Sequence, residues 1–238
     1  MKKNKLRNNL DDKFYLDQTI SSEPKETFKF IADIARNLDG DLKSWHDIGC
    51  GTGELLNYLC NILPGIQLSG SDVSSELIGV AKKKYPEILF SVNNFTDRPS
   101  SLKKDYDIVS LIGVHGRFKY LNSWLPQFTS LIKKHGYGLI FDLFNSEPVD
   151  VAVSAKKSDS QELDYENTYF NLISINSMKN ELTSLGFKSK FYRFKMPFVI
   201  EKKNDPFRSW TIDLFNGERM LTNGLGQLFD FYLCVVKK

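Results

Sequence analysis

Apolar residues fall in short runs whose spacing switches repeatedly between helical and strand periods, and that switching predicts the architecture. Phe28, Ile31, Ile34, Ala35 and Leu38 recur at helical spacing after Glu23-Pro24 and stop at Gly40. Ser44 to Ile48 reads as a short buried strand ending in glycines, and Glu54 to Leu63 as a helix stopped by Pro64-Gly65. Ile66 to Asp72 alternates like a strand. Ser75 to Tyr85 reads as a helix, with Ser74 or Ser75 as its N-cap and Pro86 at its end. Leu89 to Val92 and the strongly apolar Tyr106 to Ile112 are further strands, and Gly138 to Leu143 is another. Between the last two, Trp124 to Lys134 is expected as a helix with Pro126 in its first turn.

The last third patterns differently. Val149 to Glu166 is polar without a steady period and reads as a loop or lid. Asn176 to Leu185 reads as a helix ended by Gly186, and Phe187 to Met196 and Phe229 to Val236 as strands. Trp210 to Phe215 and Glu218 to Leu221 flank Asn216-Gly217, the strongest short hairpin signal, since a two-residue turn of that kind needs positive φ at both residues. The whole predicts an α/β fold: a doubly wound, mostly parallel sheet with helices on both faces and an inserted β-hairpin. Residues 1–40 form an amino-terminal helical segment or lid, and 41–238 the main domain, with 149–170 and 198–228 as substrate-covering insertions.

Composition changes this picture little. The chain has 238 residues, 41% hydrophobic and 26% charged, which is ordinary for a globular protein of this length. Cys50, Cys60 and Cys234 show no metal or disulfide spacing, which fits a reducing cytoplasm and structural roles. The basic Met1 to Arg7 is followed by Asn8, Asn9, Leu10, Asp11 and Asp12 rather than an apolar stretch, so no signal peptide is read there. No run approaches the roughly 20 apolar residues that cross a bilayer. The net charge of +3 is spread along the chain, which argues for a solvated surface and against a nucleic-acid partner.

The chemistry concentrates at Asp47-Ile48-Gly49-Cys50-Gly51-Thr52-Gly53-Glu54, between a strand and a helix. Glycines there allow a tight turn and close approach of a ligand to the backbone. Asp72 ends the next strand about 20 residues on, the place of a carboxylate that accepts hydrogen bonds from ribose hydroxyls; its plainer reading is a helix N-cap. The loop is G-x-G-x-G, and Glu54 stands where a dinucleotide fingerprint carries its third glycine. A carboxylate at the helix start would face a pyrophosphate, so a cofactor without phosphate suits the loop better.

These residues, DIGCGTGE at 47–54 with GSD at 70–72, NNF at 93–95 and YDIV at 106–109, resemble the class I S-adenosylmethionine-dependent methyltransferases. The resemblance runs from about residue 40 to the end, and it implies a mostly parallel seven-stranded sheet with an antiparallel last strand. It implies that Asp47, Gly49, Cys50, Gly51 and Gly53 line the methionyl and ribose part of S-adenosylmethionine, which leaves as S-adenosylhomocysteine. Asp72 would bind the ribose diol and Val73 would pack on the adenine. Asn94 stands where relatives usually carry an acid for the adenine amino group, and the Phe95 N–H would reach a ring nitrogen. Gly113 would border the sulfur, and Tyr15 would fold over the cofactor from the amino-terminal segment.

Methyl transfer to a hydroxyl needs a base, and histidine suits that task near neutral pH. Of His46, His115 and His135, the first lies within a strand and reads as a core histidine. His135 sits in a turn on the side away from the cofactor. His115, in Gly113-Val114-His115-Gly116-Arg117 at the carboxyl end of a strand, is the candidate base, with a simple loop histidine as the alternative. Arg117 and Tyr120 are weaker pocket candidates. The sequence IGVHGR lacks the (Asn/Asp)-Pro-Pro-(Tyr/Phe) motif of adenine- and glutamine-methylating relatives, and Asp142 and Asn145 are separated, which argues against a metal. Tyr165, Tyr169, Phe170, Phe198, Phe207 and Trp210 either cover a small or sugar-like substrate or pack the hairpin onto the sheet. The expected function is methylation of a small-molecule acceptor, as O-methylation of a hydroxyl on a sugar or metabolite. An RNA or protein methyltransferase, a non-catalytic cofactor-binding relative and an NAD-dependent oxidoreductase are the alternatives.

Overall fold

A computed structural model describes residues 16, 23–97, 105–155, 158 and 171–238. In chain order the elements are α1 (Glu26–Ala35), β1 (Ser44–Ile48), α2 (Glu54–Ile62), β2 (Gln67–Asp72), α3 (Ser75–Lys84), β3 (Leu89–Val92) and β4 (Tyr106–Ile112). There follow α4 (Leu125–Ser130), β5 (Ile132–Asn145), β6 (Ile173–Ser174), α5 (Ile175–Ser184), β7 (Lys188–Phe194), β8 (Trp210–Asp213), β9 (Arg219–Thr222) and β10 (Leu228–Lys237). The apolar strands pair in parallel in the order β3-β2-β1-β4-β5. β10 then lies antiparallel between β5 and β7, as expected for the last strand. The short β6 pairs with the end of β5, and the β8–β9 hairpin continues from the start of β10.

Alternation along each strand sends side chains to two cores. Trp45, Ile108, Leu139 and Leu233 face α1, α2 and α3 through Ile31, Leu56, Leu59 and Ile78. Val109, Leu111, Ile140 and Cys234 face α4 and α5 through Phe128, Met178 and Leu182. Both faces are therefore covered, which is why these strands read as continuous apolar runs. Ser74 caps α3 by accepting from Leu77 N at 3.3 Å, and Ser174 caps α5 by accepting from Ser177 N at 3.0 Å.

Two local expectations are corrected. The helix expected to reach Lys134 ends at Ser130, and β5 begins at Ile132. Ile132 pairs with Tyr106, but the next pair is Tyr137 with Ile108, so Lys133 to Gly136 bulge out of the ladder. His135 takes φ +68°, and a Cβ on Gly136 would sit 2.8 Å from the Asp107 carbonyl oxygen. The polar Lys-Lys-His stretch is a strand bulge, not a helix end. The hairpin forms where Asn216-Gly217 marks it, yet only Gly217 has positive φ (+77°). Gly217 N donates to Leu214 O at 3.0 Å and Leu214 N to Glu218 O at 2.8 Å, giving a three-residue loop rather than the two-residue turn.

Candidate active site

The parallel sheet reverses its strand order between β1 and β4, and ligands of such sheets bind outside the carboxyl ends at that point. The loop from β1 to α2 lies there. Gly49, Gly51 and Gly53 have φ of +72°, +56° and +84°, the left-handed region that side chains disfavour. The backbone N–H groups of Gly49 and Cys50 both donate to Ser71 O, at 2.7 and 3.1 Å, which ties the loop to the end of β2. A Cβ on Gly49 would lie 2.6 Å from Val114 Cγ2, whereas one on Gly51 would meet nothing within 4 Å. The loop is packed on its inner side and open toward the ligand side.

Two carboxylates flank it. Asp72 accepts from Gly51 N at 3.0 Å and from Ser74 N at 2.9 Å, so the loop-side acid also fixes the start of α3. Asp47 accepts from Ser110 Oγ, which in turn accepts from Trp45 Nε1 at 2.7 Å. Burial pushes the Asp47 carboxyl up to about 7, the Ser110 hydrogen bond opposes this, and the nearby Asp72 charge adds to it.

A cleft of about 350 Å³ opens over this loop. Its walls include Asp47, Gly49, Cys50, Gly51, Asp72, Val73, Asn94, Phe95 and Gly113, which the sequence had assigned to the cofactor, and Arg117. Val73 is 44% exposed beside Asp72, an apolar face turned outward where an adenine would need one. Asn94 lines the cleft with its amide already engaged: Oδ1 accepts from Thr96 N and Oγ1, and Nδ2 donates to Asp97.

Other expected positions fall elsewhere. Gly53 does not line the cleft; it precedes α2 where a Cβ would lie 2.6 Å from Phe90, so its glycine serves packing. Tyr120 is 60% exposed and outside the cleft. Tyr15, Tyr165, Tyr169 and Phe170 lie outside the described residues.

His115 is fully buried and absent from the cleft walls. The 3-10 turn His115–Arg117 carries its ring under the sheet edge, 4.4 Å from the Phe144 ring and 6.3 Å from that of Trp124. Neither ring nitrogen meets hydrogen-bond geometry, although the nearby backbone of Leu143 and the Asp142 charge favour a proton. Burial outweighs them and holds the ring below its ordinary value, hence neutral. His46 is a core histidine, as read: Nδ1 and Nε2 contact Ser69 Oγ at 2.8 Å and Ser71 Oγ at 3.0 Å, and the ring stacks on Tyr106.

Sequence reasoning missed the apolar end of the cleft: Phe28 from α1, Phe141 from β5 and Phe231 from β10. The Phe141 and Phe231 rings stack at 5.2 Å and 11°. Nothing local marked them, because phenylalanines in buried strands read as core. Lys25 was missed too; it pairs with Glu54 at 3.0 Å and joins the segment before α1 to the start of α2.

The residues present fit an adenosyl sulfonium cofactor. The open glycine turn, the ribose-competent Asp72, the exposed Val73 and the buried carboxylate of Asp47 match a diol, a flat base and a cationic amino group, with no phosphate to accommodate. Fold and site together define a class I S-adenosylmethionine-dependent methyltransferase. The family model described as a methyltransferase domain matches residues 20–189, and the chain belongs to that family.

Its similarity to individual proteins is partial. It is 31% identical over 97 residues to a demethylmenaquinone methyltransferase of Chlorobaculum parvum, covering 40% of this chain and 39% of that protein. It is 30% identical over 100 residues to a malonyl-[acyl-carrier protein] O-methyltransferase of Priestia megaterium, covering 42% and 36%. The chain thus matches about two fifths of the length of these curated relatives. The plantazolicin methyltransferase BpumL, solved with a triazolic desmethylPZN analog and SAH, shares the fold. Its TM-score is 0.56 at 18% identity, over 89% of this chain and 82% of that one.

Proposed function

We propose that this protein transfers the methyl group of S-adenosylmethionine to a hydroxyl of a small-molecule acceptor in the cytoplasm. The observation that carries the reading is the pair of strand-end carboxylates, Asp47 and Asp72, on either side of a glycine turn open to a 350 Å³ cleft. When bound, the cofactor supplies a methyl already activated on a sulfonium, so the protein's task is alignment and exclusion of water. Asp72 accepts from the ribose hydroxyls, and Val73 offers its exposed face to the adenine. Phe95 N–H serves the adenine edge, whereas the amide of Asn94 is held by Thr96 and Asp97. Asp47, ionised by a cationic partner, holds the amino group, and Gly113, with no Cβ, leaves room beside the sulfur.

On the acceptor side, Phe28, Phe141 and Phe231 make a dry wall. His115 packs in the core on the opposite face of the sheet from these phenylalanines, so the acceptor proton leaves to solvent by a route other than this ring. The relatives named above are named for demethylmenaquinone, malonyl-[acyl-carrier protein] and plantazolicin, so the shared fold accommodates different acceptors. Isothermal titration calorimetry with S-adenosylhomocysteine tests the reading: micromolar binding with no response to NAD is expected. Tight NAD binding with none of S-adenosylhomocysteine would overturn it.

A further inference from the structure

The cleft crosses the carboxyl ends of the strands, so strand order decides which part of a bound donor each wall meets. Asp72 ends β2 and Asp47 lies one residue from the end of β1, which puts the polar parts of the donor on that side. Gly113 follows β4, and its N–H donates to Phe141 O at 2.7 Å, so the place read for the sulfur adjoins β5. Neighbouring strands are about 4.8 Å apart. Next in the sheet come β5 with Phe141 and then β10 with Phe231, and both side chains line the cleft. The ribose and the amino group have their partners on β2 and β1, which leaves the β5–β10 end to the acceptor.

The chemistry of that end is one-sided. Phe28, Ile112, Phe141 and Phe231 line the cleft and belong to one apolar cluster, in which Phe28, Ile112 and Phe231 are only partly buried. A Cβ on Gly113 would meet nothing within 4 Å, so there is room beside them. The Phe141 and Phe231 rings lie nearly parallel, at 5.2 Å and 11°. A flat ring extends such a pair in the offset geometry that aromatic rings favour. A sugar, with a hydroxyl on most of its carbons, would leave hydrogen bonds to water unreplaced there.

The titratable side chains on the cleft walls point the same way. They are Lys25, Asp47, Cys50, Glu54, Asp72 and Arg117. Lys25 and Glu54 pair with each other at 3.0 Å. Arg117 stays protonated at any working pH. Asp47, Cys50 and Asp72 belong to the donor's loop and strand ends, and His115 packs against Trp124 and Phe144 in the other core. Among the described residues, then, no general base serves the apolar end. An alkyl hydroxyl, which like water keeps its proton to a pH of about 16, would need one. A phenol ionises near a pH of about 10 and needs none.

We infer that the acceptor is a phenol, held by its ring in the end of the cleft walled by Phe28, Phe141 and Phe231. The inference rests on the methyl-transfer reading above and narrows its acceptor from any hydroxyl to one on an aromatic ring. The phenol gives its proton to solvent. The phenolate oxygen forms the new O–C bond with the methyl carbon as the C–S bond breaks, and the electron pair of that bond goes to sulfur, leaving S-adenosylhomocysteine. The side chains position the ring and exclude water, and the acidity of the acceptor does the work of a base.

The test offers methyl-labelled S-adenosylmethionine to the full-length protein with 2-naphthol, with its saturated counterpart decahydro-2-naphthol, and with glucose. Label is expected in 2-naphthol alone. At saturating donor, kcat should rise with pH toward the acceptor's own ionisation, and at lower pH for the more acidic 6-cyano-2-naphthol. Phe28→Leu and Phe231→Leu should each raise KM for 2-naphthol at least tenfold, more than any fall in kcat. Both should keep S-adenosylhomocysteine affinity within about threefold, which also shows that they fold. Calorimetry on the S-adenosylhomocysteine complex should show 2-naphthol binding, weakened at least tenfold in Phe231→Leu. Label in decahydro-2-naphthol or glucose at a rate equal to that in 2-naphthol, or in no acceptor while S-adenosylhomocysteine binds, overturns the inference. A pH profile identical for the two naphthols would place a base on the protein and overturn it, as would an unmoved KM in both folded variants. Failure of the wild type to bind S-adenosylhomocysteine would instead remove the methyl-transfer reading on which the inference stands.

Discussion

Asp47 is a carboxylate buried without a countercharge among the described residues, and its behaviour with pH follows from that. Its folded-state value, about 7, lies above the ordinary 3.8, so the folded protein without cofactor holds a proton that the unfolded chain has released. Stability from this group is fully present below about pH 4 and is lost as pH rises through 7. A cationic amino group reverses the preference, so binding below pH 7 releases a proton. Cofactor affinity should rise from pH 6 to pH 8, by up to about tenfold per unit below pH 7. Calorimetry in buffers of different ionisation enthalpy measures the released proton, and Asp47→Asn should show none. Asp72→Ala should weaken cofactor binding at least tenfold by the same measurement, with a folded circular dichroism spectrum; unchanged binding removes Asp72 from the site. His115→Leu, a volume-conserving change at a buried and neutral ring, should keep turnover within about threefold, whereas a hundredfold loss would return the ring to the chemistry. Asp47 and Asp72 were legible because they end strands beside glycines. His115 follows the end of β4 by three residues and precedes a glycine, but the direction of its side chain depends on a 3-10 turn that no residue pattern announced.

At the scale of elements, the strand–loop–helix unit of β1 and α2 depends on one close approach. Gly49→Ala adds a methyl 2.6 Å from Val114 at φ +72°, and we expect about 1–3 kcal/mol of destabilisation together with loss of cofactor affinity. Urea unfolding and calorimetry check the two effects separately. The β8–β9 hairpin is held to the sheet by charge: Arg193 donates to Asp230 at 2.8 Å and to Glu218 at 3.0 Å, and Lys195 donates to Glu218 at 2.9 Å. These groups are partly exposed, so Arg193→Ala should cost only about 1 kcal/mol or less. Its clearer sign should be faster hydrogen exchange across 214–222, since Glu218 is the hairpin's side of the network. Unchanged exchange would show that apolar contacts alone hold the hairpin. The hairpin was legible from Asn216-Gly217, but its loop length was not, because Leu214 pairing with Glu218 is a register choice made by the sheet. The bulge at Lys133 to Gly136 escaped notice for a related reason: a polar insertion inside a strand and the end of a helix have the same composition.

For the whole molecule, the alternation of apolar strands and amphipathic helices by itself determined a doubly wound α/β sheet and the glycine turn at its centre. Those features depend on near neighbours in the chain: a period of two or 3.6, a residue able to take positive φ, an acid at a strand end. The tertiary structure alone decided which side chains share the cleft. Phe28, Phe141 and Phe231 come from the two ends and the middle of the chain and meet only because β10 inserts beside β5 under α1. The 3-10 turn after β4 likewise sends His115 into the opposite core, against Trp124 and Phe144. Donor binding is thus written in local sequence, because one loop and two strand ends build it. Acceptor selection is not, because it is assembled from residues far apart in the chain, whose side chains look like core until the sheet order is known.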